Sequence, residues 1–168
     1  PLVLMLSGGF GLGPVLDLLG LFKGVKKSFQ LAIIIGKDEE LRKKAEMITK
    51  DLDFKVKVFG FVDNMEEFMS AADVVITKPG GMSTSEALAK KVPLCLMQAI
   101  QGQEEWNVRV LVNAGAAVYP KSTRDIPQAV LGILADESKR FSMKEAAGRL
   151  EKPNCTENIA RLVMGIRG

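Results

Sequence analysis

The chain contains no histidine and only two cysteines in 168 residues. Histidine is the commonest general base and the commonest protein metal ligand near neutral pH, so its absence disfavours chemistry that depends on either role. Cys95 lies inside an apolar run and is expected to be a small core residue, whereas Cys155 is distant in sequence. This pair predicts neither a disulfide framework nor a metal site and is typical of a reducing compartment.

Long apolar runs and a strong charge imbalance are also missing. No apolar run reaches the ~20 residues that a membrane-spanning helix needs. The 23 basic and 20 acidic residues give a net charge of +3 and are scattered along the chain, which does not favour a dedicated nucleic-acid-binding protein. The hydrophobic content of 47% and the mean hydropathy of +0.13 instead predict one globular domain with a substantial core, spanning residues 1–168.

Short apolar runs alternate with amphipathic stretches along the chain. Continuous apolar strands are typical of a sheet covered on both faces, and strand–helix alternation predicts right-handed parallel crossovers. The predicted fold class is α/β, a Rossmann-like doubly wound parallel sheet of about six strands. The predicted strands are Leu2–Leu6, Leu31–Ile35, Val56–Phe59, Val74–Ile76, Leu94–Met97 and Ala116–Val118. The predicted helices are Asp38–Lys50, Met65–Ala71, Thr84–Lys90 and Glu104–Asn113, with two or three more between Ile126 and Met164.

Both ends of the chain suggest a larger protein. The first predicted strand begins directly after Pro1, so we expect the chain to start at a domain boundary. The last predicted helix begins near Asn154 and is expected to cross to, or pack against, a partner domain that this chain lacks.

A glycine-rich loop, SGGFGLGP from Ser7 to Pro14, follows the first predicted strand. Glycines let the main chain approach a ligand closely, and the following helix offers unpaired N–H groups and a positive dipole end to a phosphate. A plain strand–helix turn is the alternative. A dinucleotide site would need different glycine spacing and an acid at the end of the second strand, where Lys37 precedes Asp38. Asp38 is instead expected to cap the next helix, so NAD binding is disfavoured. ATP hydrolysis is disfavoured as well, because no Walker lysine motif is present.

A second glycine loop, TKPGGMSTSE from Thr77 to Glu86, follows the fourth predicted strand. Ligands of open α/β sheets bind at the carboxyl ends of the strands, so the two loops are expected to face one crevice. Ser83 and Glu86 have the spacing of a helix capping box, which spacing alone favours. The alternative is that the Glu86 carboxylate accepts hydrogen bonds from both hydroxyls of a ribose.

The fifth predicted strand leads into an amide- and carboxylate-rich segment from Gln98 to Asn107. Such groups recognise the hydroxyl pattern of a sugar. The alternative is a solvated helix start whose acids interact favourably with the helix dipole.

Together these segments resemble the C-terminal domain of GT-B glycosyltransferases that act on lipid acceptors. The nearest resemblance is to the monogalactosyl- and glucosyl-diacylglycerol synthases, and a more distant one is to the enzyme that adds N-acetylglucosamine to the lipid-linked peptidoglycan precursor. The matching segments occur in family order over nearly the whole chain: GGFGLGP (8–14), GFVDNM (60–65), TKPGG (77–81), SEA (85–87), GQE (102–104) with Asn107, and RLEKP (149–153).

The resemblance implies a UDP-sugar donor, UDP-glucose or UDP-galactose, and a lipid acceptor such as diacylglycerol. It also implies an inverting transfer whose base and acceptor surface belong to an N-terminal domain outside this chain, so this domain alone is expected only to bind. Loop N–H groups and helix ends would stabilise the leaving UDP without a cofactor or a bound metal. The parent enzyme is expected in the cytoplasm or, as a peripheral protein, on the cytoplasmic face of a membrane, with no nucleic-acid partner.

Position by position, the resemblance implies four groups of ligand-binding residues and favours a ribose role for Glu86 over a cap. Phe10 replaces a polar or acidic residue of several relatives, so only its main chain is expected to contribute. The expected residues are Gly8, Gly9, Phe10, Gly11, Gly13, Gly81, Met82, Ser83 and Thr84 for the diphosphate, Phe61, Val62 and Met65 for uracil, Glu86 for the ribose, and Gln103, Glu104 and Asn107 for the hexose.

Three other hypotheses remain open. The chain could be a peptidoglycan-precursor N-acetylglucosaminyltransferase-like domain or a non-catalytic nucleotide-sugar-binding module. A UDP-N-acetylglucosamine 2-epimerase or hydrolase would share the same sheet, but such enzymes rely on histidines, which this chain lacks.

Overall fold

In a computed structural model, six parallel strands form one sheet in the order β3-β2-β1-β4-β5-β6. The structure describes residues 1–8, 14–23, 29–97, 102 and 104–165. The strands are β1 (Leu2–Leu6), β2 (Gln30–Ile34), β3 (Val56–Phe59), β4 (Val74–Thr77), β5 (Leu94–Leu96) and β6 (Ala117–Val118). The helices are α1 (Val15–Leu21), α2 (Glu39–Thr49), α3 (Met65–Ala71), α4 (Gly81–Ala89), α5 (Glu105–Asn113), α6 (Ile126–Ala135), α7 (Glu137–Leu150) and α8 (Cys155–Val163).

Helices cover both faces of the sheet, and each face has its own core. Val3 and Met5 of β1 belong to the core that α1, α2 and α6 share. Leu4 and Leu6 point to the opposite face and belong to the core that α3, α4 and α5 share. Because successive residues of a strand point to opposite faces, burial on both faces requires every residue of β1 to be apolar. This requirement explains the continuous apolar runs from which the strands were predicted.

The predicted α/β fold class is confirmed, and each strand begins and ends within one residue of its predicted bounds. The predicted cap of α2 is also confirmed, since the Asp38 carboxylate accepts a hydrogen bond of 2.8 Å from the N–H of Leu41. Pro14 directly precedes α1, where its fixed φ suits the start of a helix.

Helix α4 begins three residues before the predicted Thr84, so the prediction that Ser83 caps this helix is wrong. The residue that precedes the helix is Gly80, whose ψ of 144° is extended, and no side chain caps this end. The hydroxyl of buried Thr84 donates a 2.7 Å hydrogen bond to the carbonyl of Gly80. This contact joins Thr84 to the preceding turn, which places Ser83 inside the helix.

Helix α8 begins at Cys155, one residue after the predicted start, and all of its residues are exposed. Its apolar residues include Leu162 and Val163, which are 80% and 81% exposed. Its expected packing against a partner domain stays a prediction. Among the described residues, no helix is both long and apolar enough to cross a membrane.

The two cysteines lie in opposite environments, as predicted for Cys95. Cys95 is fully buried in β5, and desolvation raises the pKa of its thiol to about 12, whereas Cys155 is exposed at the start of α8. The Cys95 thiol therefore stays protonated near neutral pH. Because the unfolded thiol has a pKa near 8.5 and loses its proton first, this group stabilises the fold fully below about pH 8.5, and that stabilisation is lost as pH rises towards 12.

We predict that Cys95→Ser lowers the free energy of unfolding by about 1–3 kcal/mol, because it buries a stronger hydrogen-bonding group in an apolar site. Urea unfolding at pH 7 measures this change. Cys155→Ser is the matched control and should leave the unfolding midpoint unchanged. A thiol reagent at pH 8 should modify Cys155 quickly and Cys95 only after unfolding; rapid modification of Cys95 in the folded chain would contradict its burial.

Candidate functional site

The carboxyl ends of β1 and β4 form a crevice at the point where the strand order reverses. From β1 the chain continues outward to β2 and β3, and then returns to place β4 on the other side of β1. Strand β1 leads into Ser7 and Gly8, and β4 leads into the segment from Lys78 to Gly80. Open parallel sheets bind ligands at such a switch point, because the loops on its two sides diverge and leave room between them.

The main chain at the end of β1 is held by a buried serine. Ser7 is 1% exposed, and its hydroxyl donates a 2.9 Å hydrogen bond to the carbonyl of Ile35 at the end of β2. Gly8 follows with a φ of +80°, a left-handed conformation that favours glycine. A Cβ atom added at Gly8 would lie 3.8 Å from Cδ of Lys78, so the Lys78 side chain extends across the crevice to the first loop.

A cavity of about 140 Å³ opens at this edge of the sheet. It brings together three expected uracil-binding residues, Phe61, Val62 and Met65, with two expected diphosphate-binding residues, Gly8 and Ser83. The whole lining consists of Leu6, Ser7, Gly8, Ile34, Gly36, Phe61, Val62, Met65 and Ser83. These residues follow four different strands, so only the folded sheet makes them neighbours.

The lining of the cavity is largely apolar. Leu6, Ile34, Val62 and Met65 contribute apolar side chains, and the ring of Phe61, which also lines the cavity, is 66% exposed. The ammonium of Lys37 lies 5.2 Å from the centroid of that ring, within the range of a cation–π contact.

The first turn of α4 also contributes to the cavity, through Ser83. The N–H groups of the first helical turn have no acceptor within the helix, and together they form the positive end of its dipole. Met82 in this turn is 80% exposed, while Ser83 lines the cavity. Glu86 is exposed and lies three residues after Ser83, which places the two side chains on one face of α4. The hydroxyl of Thr84 is already bonded to Gly80, so its diphosphate role stays a prediction.

The start of α5 packs against the loop after β4. The side-chain amide of Asn107 donates a 2.8 Å hydrogen bond to the carbonyl of Pro79. A Cβ atom added at Gly80 would lie 3.6 Å from Oε1 of Glu104, so that carboxylate also approaches the loop. Of the expected hexose-binding residues, Asn107 therefore contacts the second glycine loop and Glu104 lies beside it.

Several expected ligand-binding residues lie outside the described part of the chain: Gly9, Phe10, Gly11 and Gly13 of the first loop, and Gln103. Conversely, the sequence reasoning assigned no role to Ser7 or Lys78. Both residues belong to the two glycine loops. The loop sequences do not reveal that Ser7 anchors β1 to β2 or that the Lys78 side chain reaches Gly8.

A second cavity, of about 340 Å³, lies beyond β5 and β6 and contains none of the expected site residues. Tyr119, Lys121, Ser122 and Thr123 are among its lining residues. No group of three or more acidic or cysteine side chains suited to a metal ion occurs within residues 1–8, 14–23, 29–97, 102 and 104–165.

Comparison with known proteins matches this architecture to one family. Residues 15–159 match the family model described as the glycosyltransferase family 28 C-terminal domain. The chain is 32% identical over 164 residues to a processive diacylglycerol beta-glucosyltransferase from Bacillus cytotoxicus. The matched region covers 97% of this chain and 42% of that protein. It thus spans less than half the length of the curated relatives it matches.

Solved structures agree on the fold. Acinetobacter baumannii MurG has a TM-score of 0.83 at 18% identity, covering 98% of this chain and 49% of that one. The S. aureus MnaA–UDP co-structure has a TM-score of 0.76 at 16% identity, covering 99% of this chain and 46% of that one. The sheet is that of the GT-B glycosyltransferases. Since the family model spans most of the residues, this chain belongs to the family of glycosyltransferase family 28 C-terminal domains.

Proposed function

We propose that this domain binds the UDP-hexose donor of a glycosyltransferase whose parent chain transfers the hexose to a lipid acceptor, diacylglycerol. The observation that carries the proposal is the cavity of about 140 Å³ at the β1–β4 switch point. Its lining combines apolar side chains such as Val62 and Met65 with Gly8 and the first turn of α4, where main-chain N–H groups suit an anion. A nucleoside diphosphate combines the same two chemistries, a flat base and a charged diphosphate.

We assign the ribose to Glu86, an exposed carboxylate that is not among the lining residues of the cavity. Glu86 lies on the same face of α4 as Ser83, one turn deeper into the helix. A carboxylate can accept hydrogen bonds from the 2′- and 3′-hydroxyls together, which matches the chemistry of a ribose diol. The UDP in the MnaA co-structure and the name of the Bacillus relative support a UDP-sugar donor and a diacylglycerol acceptor.

In the proposed reaction, this domain acts on the leaving group, UDP. The oxygen of the acceptor hydroxyl forms a bond to the anomeric carbon from the face opposite the UDP, which inverts that carbon. The bond between the anomeric carbon and the β-phosphate oxygen breaks, and its electron pair stays on that oxygen. The hydroxyl proton passes to a carboxylate or imidazole base of the acceptor domain. N–H groups at Gly8 and the start of α4 stabilise the charge that develops on UDP.

We predict that UDP binds the 168-residue chain with a dissociation constant between about 1 µM and 1 mM, the usual range for enzyme substrates. Isothermal titration calorimetry measures the affinity, and NAD serves as the comparison ligand. We expect no heat from NAD, because Lys37 occupies the position where a dinucleotide site needs an acid. Binding of NAD with no response to UDP at millimolar concentration would contradict the proposal.

We predict that Glu86→Gln weakens UDP binding about tenfold, because hydrogen bonds to a charged acceptor are worth about 1.5–3 kcal/mol. The matched control is Glu145→Gln, an exposed carboxylate on α7. A double cycle with 2′-deoxy-UDP assigns the effect to the ribose, since Glu86→Gln should cost less when one hydroxyl is missing. An equal loss of affinity for UDP and for 2′-deoxy-UDP would show that Glu86 does not bind the ribose.

Asn107 provides a test of how the hexose end is organised. Its amide donor is bonded to Pro79, so we predict that Asn107→Ala weakens UDP and UDP-glucose by similar factors, about three- to tenfold. We expect this loss because the variant lacks the hydrogen bond that holds Pro79, in the loop before α4. Asn113→Ala, at the exposed end of α5, is the control. A loss confined to UDP-glucose would show that Asn107 acts on the hexose alone.

A further inference from the structure

We infer that Lys78 is the cation that binds the donor diphosphate and stabilises UDP as it leaves; this inference rests on the proposed function. Lys78 follows Thr77, the last residue of β4, and therefore lies on one side of the switch point. Gly8 lies on the other side, at the end of β1. The side chain of Lys78 crosses between the two.

The position of the Lys78 ammonium is set by its contacts with the first loop. Its Cδ, Cε and Nζ atoms lie 3.8, 3.9 and 4.0 Å from the point where a Cβ atom on Gly8 would stand. A side chain at Gly8 would therefore occupy the surface along which the lysine lies. The same Gly8 lines the cavity together with Ser83 in the first turn of α4. The ammonium thus lies beside the main chain of Gly8, and Lys78 itself stands three residues before α4. N–H groups of both segments suit an anion.

The charge of Lys78 is not balanced by a carboxylate in the part of the chain that the structure describes. The ion pairs found there join other residues, such as Lys23 with Asp51 and Arg42 with Glu39. Glu86 on the neighbouring α4 does not form an ion pair with Lys78. Lys78 is also half-buried, so it is less well hydrated than a surface lysine. A partly desolvated ammonium without a counter-charge strongly favours the arrival of an anion.

Two lysines lie beside lining residues of the cavity and have different surroundings. Lys37 lies over the ring of Phe61, which we assign to the base. Lys78 lies beside Gly8, which we assign to the diphosphate. Removal of Lys78 should therefore affect nucleotides in proportion to their phosphate charge and spare the nucleoside.

The stabilisation by Lys78 grows during the reaction. As the bond between the anomeric carbon and the β-phosphate oxygen breaks, its electron pair adds negative charge to the diphosphate. A fixed ammonium beside that group interacts more strongly with the transition state than with the bound donor. Lys78 therefore contributes to the turnover rate of the full enzyme as well as to donor affinity.

The test compares uridine, UMP and UDP on the wild-type chain and on Lys78→Gln by calorimetric titration. We expect Lys78→Gln to weaken UDP about 10- to 100-fold and UMP less, and to change uridine affinity by less than about twofold. Lys78→Arg retains the charge and should restore most of the UDP affinity. Lys90→Gln, at the opposite end of α4, removes a charge without approaching the cavity and should bind UDP like the wild type. Raised salt should reduce the difference between the wild type and Lys78→Gln.

Three other outcomes would contradict either the role of Lys78 or the proposed function. Equal UDP affinity of Lys78→Gln and wild type would remove Lys78 from the diphosphate site while leaving the proposed function intact. An equal loss of affinity for uridine and for UDP would show that Lys78 only supports the fold of the crevice. Thermal unfolding of Lys78→Gln and Lys78→Arg would then reveal a loss of stability. Failure of the wild-type chain itself to bind UDP would refute the proposed function, and with it this inference.

Discussion

The parallel pairing of β1 with β4 is the contact on which the site depends. Val3, Leu4 and Met5 pair with Val74, Val75 and Ile76, and this register brings the ends of both strands to the same edge of the sheet. Because the side chains of β1 alternate between two filled cores, a shift of one residue would exchange its residues between cores of different shape. Dense packing on both faces therefore fixes the end of β1, with Ser7 and Gly8, relative to the segment from Lys78 to Gly80 after β4.

Most of the polar side chains near the crevice hold these loops in place. Ser7 joins the end of β1 to that of β2, Thr84 closes the first turn of α4, and Asn107 anchors the loop after β4. Buried hydroxyls and amides need partners, and here the partners are main-chain carbonyls of the loops themselves. These contacts brace the main chain at Ile35, Pro79 and Gly80, beside the crevice.

The charge around the crevice has a matching pattern. The Lys78 ammonium lies beside Gly8, and the lining of the cavity combines Gly8 and the first turn of α4 with apolar side chains such as Val62 and Met65. If the domain binds a nucleoside diphosphate as we propose, this local arrangement would let a domain with a net charge of only +3 favour an anionic ligand. The distribution of charge matters here more than its total.

The sequence by itself determined the fold class and nearly every strand, because a strand buried on both faces must be a continuous apolar run, and such a run is visible without coordinates. It also determined, through the order of its motifs, the family resemblance that the family model confirms. The start of α4 could not be predicted in the same way. The spacing of Ser83 and Glu86 also fits a capping box, whereas in the structure the helix begins at Gly81 and the Thr84 hydroxyl is bonded to the carbonyl of Gly80. The contact of Lys78 with Gly8 and that of Asn107 with Pro79 were decided only by the tertiary structure. Both contacts join residues far apart in the chain, and only sheet packing, which no local pattern encodes, brings them within reach of each other.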